Sequence, residues 1–598
     1  MNRNTVLAFV LILLTVWLFQ SKFYQERIRG RKPVAAERTL PDSTQEDTSR
    51  SVPPGAAAAR PPHTDTIAAA APPRSDGTRS SDIKRDTVWV ETDKMRVGID
   101  ALGATVVSVR MKDYSYRRGK GPARAESAIE LVPAQAERGG ASVSVKEEEL
   151  DGLLFTCADS AGARQLGEAD TLEVRFSAKM REGQALEKAF RFARDSYTFG
   201  VTVTSPAIAG RNLRIAWPCG IEESEWKSGD KSVQYDARKA HIYDGADVEH
   251  LQIKKEAQEE RSGSYEWVGV TSKYFLIALI AEGARDGEVV VRAFADSLTE
   301  INRKAQLYNH AISLSRTCDD QQVHYRVYAG PMQIQRLRAE GVKLEKVLYG
   351  GWPWFLRADR WFPWICQIML VVLVALHVVV RDYGVAIVLL TIIVKAVTYP
   401  LSVSSMRSMV RMKELQPRIN AIRERYKSDA RKMNEALMEL YRENGMNPFN
   451  PGCLPMFLQM PVLFSLYVVL RKAIELRGVG TVLVPWVHDL SQAEVLFRLP
   501  FMVPFYGDNV ALMPIVMGVV TFVQNKATMK DPNQAAMVYV MPVMMLVLFN
   551  SFPAGLVLYW TLSSALGLVQ QKLMERARGV GAAAEAKAEG GRKARLRG

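Results

Sequence analysis

Cysteine and histidine are both scarce in this chain. Five cysteines (Cys157, Cys219, Cys318, Cys366, Cys453) are scattered over 598 residues, with no CxxC pair and no histidine nearby. That spacing supports neither a metal centre nor a disulfide framework. Among the seven histidines, His241, His250, His310 and His324 stand alone in the sequence, and no Ser/His/Asp or paired-carboxylate arrangement accompanies them. Catalytic chemistry, a bound metal and a cofactor are therefore not expected. Large apolar residues are nearly missing from 33–85, where Ala, Pro, Ser, Thr and Arg predominate. Such a segment buries too little to fold and reads as a disordered tether.

Long apolar runs, by contrast, fill 350–573. The most informative is YGVAIVLLTIIVKAVTYPLS (383–402), which carries Lys395 near its middle. A charge at that depth in a bilayer costs roughly 2.5–3.5 kcal/mol on insertion scales. Thr391, Lys395, Thr398 and Ser402 follow the i, i+4, i+7, i+11 rhythm of one helical stripe, while Val, Ile and Leu cover the other faces. The pattern predicts a membrane helix with a wet, positively charged stripe turned inward. A lone lysine near a helix end would snorkel to the interface instead, but this one sits about twelve residues in, with hydroxyls in register.

The other segments fall into place around it. Residues 5–20 are apolar and no small-residue cleavage site follows, so 1–21 reads as a retained amino-terminal anchor and 22–85 as a linker. Between 86 and 345, alternating stretches such as 88–100, 104–111, 197–205 and 324–330 are punctuated by Gly, Asn, Asp and Pro, predicting an antiparallel β-sandwich. Residues 350–381 open with an aromatic, arginine-broken flank and continue for about the length of a spanning helix, so they either lie on the interface or cross it. Residues 403–447 form a basic amphipathic hairpin: Arg407, Arg411, Arg418, Arg423 and Arg425 are among its cations, against six acids, and Met412 is among its apolar residues. Four further membrane helices, or three and a re-entrant one, cover 453–470, 511–528, 535–549 and 553–571, carrying Gln459, Gln524 and Tyr559 on polar stripes. The loop 471–510 includes an amphipathic-looking stretch around Trp486–Tyr506, and 576–598 is a basic tail.

Net charge is +14. The excess collects beside apolar segments, as in loops that stay cytoplasmic, and is not a nucleic-acid signature. The hairpin and the tail then both lie inside, an even number of crossings apart. The lysine helix runs from outside to inside. A flat 361–380 puts the β domain outside; a spanning one puts it in the cytoplasm. The aromatic flank favours the flat arrangement, although five basic residues after the first helix then break the charge rule.

Several stretches are highly specific: TIIVKAVTYPL, MKELQPRINAIRERY, NPFNPGCLPMFLQMPVLFSLY, LMPIVMGVVTFVQ and FPAGLVLYW. Through them the chain resembles the bacterial YidC membrane protein insertases, closely over about 350–575. A weaker likeness over 88–340 (FRFARDSYTFGVTV, WVGVTSKYF, YRVYAGP) resembles the large periplasmic domain of the Gram-negative type. The resemblance implies a polytopic α-helical membrane protein of the inner membrane: an amino-terminal anchor, a periplasmic antiparallel β-supersandwich (86–345), an interfacial helix (350–381) and a five-helix insertase core (382–575) that includes the cytoplasmic hairpin. It implies a hydrophilic groove open to cytoplasm and lipid, lined by Thr391, Lys395, Thr398, Gln459, Gln524, Tyr559 and Trp560. The family's charged groove residue is usually arginine and its Trp560 position more often tyrosine. Implied partners are nascent membrane proteins, the Sec translocon with its accessory subunits, the ribosome, the signal recognition particle receptor and membrane lipids. Two rival readings lack their signatures: a transporter would show inverted repeats and paired midplane ionisable groups, and a sugar-modifying enzyme a convergent acid/base set.

Overall fold

The computed structural model describes residues 86–595, apart from 117–127, 158–162, 226–237, 282–286, 296–307, 350–357, 445–453, 529–534 and a few shorter gaps. The expected anchor and tether, 1–85, lie outside the described residues, as do the side chains of Ser402, Arg407, Arg411 and Met412.

Strands dominate up to Pro331. A nine-stranded antiparallel sheet and a six-stranded one pack face to face, Trp267–Thr271 and Phe275–Ala281 of the first lying against Tyr308–Thr317 of the second. A five-stranded sheet, led by the hairpin of Thr87–Glu91 and Met95–Asp100, extends the structure. Alternation accounts for strands such as Thr198–Thr204, where Phe199, Val201 and Val203 face the core and the threonines do not. Phe275–Ala281 is different: all seven residues are buried, because this central strand is covered on both faces. Lys188 is a polar staple inside this core. Its ammonium donates to the carbonyls of Gly103 (3.3 Å), Ala104 (2.7 Å) and Ala141 (2.6 Å). The last two residues hold left-handed backbone, at φ 44° and 53°.

The histidines that stand alone in sequence do not all stand alone in space. Strands Lys239–Tyr243 and Val248–Leu251 pair so that His241 lies opposite His250, and their Nδ1 atoms are 2.7 Å apart. Among the described residues no group of three or more metal-ligating side chains forms.

Helices follow: α1 (Ile334–Ala339), α2 (Ala358–Val380), α3 (Tyr383–Arg425), α4 (Ala430–Glu443), α5 (Leu454–Lys472), α6 (Leu512–Thr528), α7 (Ala535–Phe549) and α8 (Ala554–Arg595). Phe362–Val380 and Tyr383–Pro400 are long and apolar enough to cross a membrane; Leu512–Ala527 and Val538–Phe549 are shorter apolar stretches. In α2, Phe362, Cys366, Leu370 and Leu373 form a buried stripe, while Trp364, Val371, Val378 and Val379 are exposed. An apolar outer face of this kind suits lipid, not water.

One expectation changes. The lysine helix does not end before the hairpin: α3 runs unbroken through Pro400 and Pro417 into the hairpin's first arm. The amphipathic-looking stretch of the 471–510 loop holds strands before α6. Phe497–Val503 and Gly507–Val510 form a β-hairpin, turned at Gly507 with φ 94°, a backbone conformation that glycine adopts without strain.

Candidate groove and its outer cap

Lys395 is half-buried on α3. Among the described residues no carboxylate lies within ion-pair range of its ammonium. What faces it comes from α6 and α8, both packed on one another and α8 on α3. A Cβ placed on Gly567 of α8 would sit 2.9 Å from Gln524 Nε2 of α6 and 4.0 Å from Lys395 Nζ. Three helices thus bring a cation, an amide and a missing side chain to one spot. Sequence reasoning named the first two and missed Gly567. A glycine inside a helix costs roughly 1 kcal/mol relative to alanine, and that cost was the available signal.

The hydroxyls in register with Lys395 are spent locally. Thr391 is fully buried and donates to the Ile387 carbonyl at 2.6 Å; Thr398 donates to that of Val394 at 2.8 Å. Gln459 of α5 donates to the hydroxyl of buried Tyr559 on α8, at 2.6 Å. Trp560 lies against Phe549, ring centroids 5.5 Å apart. Among the described residues, the buried Trp560 Nε1 and Thr521 Oγ1 have no hydrogen-bond partner. Orphaned polar atoms inside an apolar bundle call for water or a ligand.

On the hairpin, Arg418 and Arg425 are exposed and Arg423 half-buried. Ile419 and Leu440 are buried between its arms, and Asp429 caps α4 by accepting from Arg431 N and Lys432 N at 3.1 Å each.

At the opposite end, segment 473–494 covers the starts of three helices. Asp382, the N-cap of α3, accepts from Val385 N (2.8 Å), Thr481 Oγ1 (2.8 Å) and Val482 N (3.0 Å). Glu494 accepts from Leu512 N (3.1 Å) and Met513 N (2.8 Å), a carboxylate at the positive end of α6. The carbonyls of Gln492 and Leu490 accept from Ala554 N and Gly555 N of α8 at 2.8 and 2.9 Å. The same segment is tied to the β-sandwich. Arg477 Nε donates to Glu225 Oε1 at 2.6 Å, with side chains only 5% and 8% exposed, and its Nη atoms donate to the Ser115 carbonyl at 3.2 Å. Gln492 also donates to Glu225 (2.9 Å), and Tyr274 and Ser491 hydroxyls lie 3.0 Å apart.

Comparison with known proteins follows this division. Residues 375–580 match the family model described as 60Kd inner membrane protein, and 87–359 the one described as YidC periplasmic domain. The membrane protein insertase YidC of Chlorobaculum parvum is 30% identical, over 96% of this chain and 94% of its own length. The chain belongs to the YidC family of membrane protein insertases. A second YidC, from Chloroherpeton thalassium, is 31% identical over 81% of this chain and 82% of its own. A solved structure described as an active YidC insertase with the first transmembrane domain resolved is 19% identical, covers 81% of this chain and 92% of that one, and superposes with a TM-score of 0.34. As a YidC, the chain is a membrane protein whose β-sandwich corresponds to the family's periplasmic domain, and its business is membrane protein insertion.

Proposed function

We propose that this insertase works without covalent chemistry, through a hydrated groove between α3, α5, α6 and α8 that opens to the cytoplasm and to lipid. The reading rests above all on the convergence of Lys395, Gln524 and Gly567. The unpartnered Thr521 Oγ1 and Trp560 Nε1 support hydration there. Water held partway into the bilayer shortens the apolar path that a translocating polar tail must cross. Lys395 attracts acidic residues of that tail. The following apolar segment then slides into lipid, driven by burial at roughly 0.8 kcal/mol per CH₂.

In this scheme α3, α5, α6, α7 and α8 are the five spanning helices, α2 lies on the outer interface, and the α3–α4 hairpin and basic tail face the cytoplasm. The exposed Arg418 and Arg425 there suit an anionic partner such as the ribosome, beside the signal recognition particle receptor and the Sec translocon. The groove residues proposed to contact substrate are Thr391, Lys395, Thr398, Gln459, Gln524, Tyr559 and Trp560. Of these, Thr391 and Thr398 act by shaping the wall, since their hydroxyls are engaged with their own helix.

Replacing Lys395 by Glu tests the charge role. Insertion of substrates with acidic tails into liposomes is expected to collapse, while Lys395→Arg keeps it; normal insertion by Lys395→Glu refutes the scheme. Crosslinks from position 524 to a nascent membrane protein should form in the same assay.

A further inference from the structure

The β-hairpin before α6 has a composition foreign to a water-facing turn. From Leu496 to Val503 it reads LFRLPFMV, with Arg498 as its one charge. Phe497 and Phe501 are 51% and 62% exposed, and Leu496 and Pro500 are exposed beside them. Arg498 is matched by Asp508 across the hairpin, at 3.8 Å. The register slips between Arg498 and Val503, around Pro500, which has no N–H to donate.

The hairpin is also fixed in place. Its base, where Phe497 pairs with Val510, lies two residues from the start of α6. Near its turn, the carbonyls of Tyr506 and Asn509 both accept from Asn550 Nδ2, at 3.1 and 2.9 Å. Asn550 belongs to the short link between α7 and α8. Held at the start of α6 and at the α7–α8 link, the hairpin lies across the helix ends instead of rising away from them. A second apolar group sits at the same level. Val482, Leu483 and Trp486 are exposed on the segment that caps α3, while the Trp486 indole N–H is satisfied by Glu494 Oε1 at 2.8 Å. A tryptophan with its polar edge engaged and its ring bare is suited to a membrane interface. These surfaces continue the apolar exterior of α6, where Ile515, Val516, Val519 and Val523 are exposed.

We propose that the paired strands Phe497–Val503 and Gly507–Val510, with Val482, Leu483 and Trp486, form a collar that dips into the acyl–headgroup boundary of the outer leaflet. The inference rests on the membrane reading of α6 given above. Its occupant is lipid, because the collar joins a lipid-facing helix without a break and brings no net charge of its own. Its binding is therefore apolar and independent of anionic headgroups, unlike the basic amphipathic helices that need them.

The test uses the full chain with its five cysteines replaced by serine, reconstituted in phosphatidylcholine vesicles with and without phosphatidylglycerol. Nitroxides are placed at Phe501→Cys, Phe497→Cys and, as a reference, Val519→Cys, with a nickel chelate on both sides of the membrane. Oxygen is expected to relax the 497 and 501 labels several-fold more than the chelate does, in both lipid mixtures, as at 519. Dominance of the chelate at 497 and 501 would place the collar in water, and shielding from both reagents would mean protein covers it. Either result overturns the proposal. If the 519 label also prefers the chelate, it is the membrane reading of α6 that has failed.

Discussion

Replacing Arg477 by alanine should release the outer cap from the β-sandwich. The guanidinium is nearly inaccessible and serves two acceptors, the Glu225 carboxylate at 2.6 Å and the Ser115 carbonyl at 3.2 Å. Its removal leaves the Glu225 carboxylate buried without its cationic partner, while the Gln492 amide still donates to it from the cap. Breaking one partner of a buried ion pair costs about 3–5 kcal/mol. Against the roughly 5–15 kcal/mol that holds a typical domain together, such a loss is large. Because the pair bridges two parts of the chain, the cost is expected to appear as local opening of 473–494 and not as global unfolding. The amides of Ala554 and Gly555 report it directly, since they bond to carbonyls within the cap. At tenfold per about 1.4 kcal/mol, hydrogen exchange there should accelerate at least about a hundredfold, with the strands around Phe275–Ala281 unchanged. Arg477→Lys, which keeps the charge but loses the fork, should fall between. Exchange at 554 and 555 within about twofold of the parent would refute the coupling of cap to β-sandwich.

Gly567→Ala should separate stability from activity: alanine favours the helix by up to about 1 kcal/mol, yet its Cβ crowds Gln524 beside Lys395. Insertion should fall while the melting temperature holds or rises; equal insertion would remove Gly567 from the site. The β-sandwich should weaken on acidification. Burial lowers His250 from its ordinary 6.5 to about 4, and His310 likewise to about 4. The unfolded chain then binds more protons between those values, so stability is full above pH 6.5 and declines toward pH 4. At about 1.4 kcal/mol per pH unit the loss reaches roughly 3 kcal/mol for His250 alone. Urea melts at pH 7.5, 5.5 and 4.5 measure it, and His250→Asn should make the trend shallower while the share of His310 remains.

Much of this molecule was readable in advance wherever a pattern repeats. Strands with one wet face show period two, and the lysine helix shows its stripe. Phe275–Ala281 escapes because a strand buried on both faces has no alternation to detect. The continuity of α3 escapes because a proline ordinarily marks a boundary, while neighbouring contacts can carry a helix through Pro400. The pairing of His241 with His250 needs the strand register. Gly567 contributes by what it lacks, and the cap joins Asp382, Arg477, Glu494 and Glu225 across distant parts of the chain. Contacts of that kind leave no local trace in a single sequence.

The unbroken course of α3 has a mechanical meaning. Forty-three residues in one helix make a rod about 64 Å long at about 1.5 Å per residue. Lys395 and Arg425 are fixed to a single axle. If the proposed topology holds, whatever grips the hairpin end of this helix and twists or tilts it also moves the Lys395 ammonium further along the same helix, with no relay of intermediate contacts.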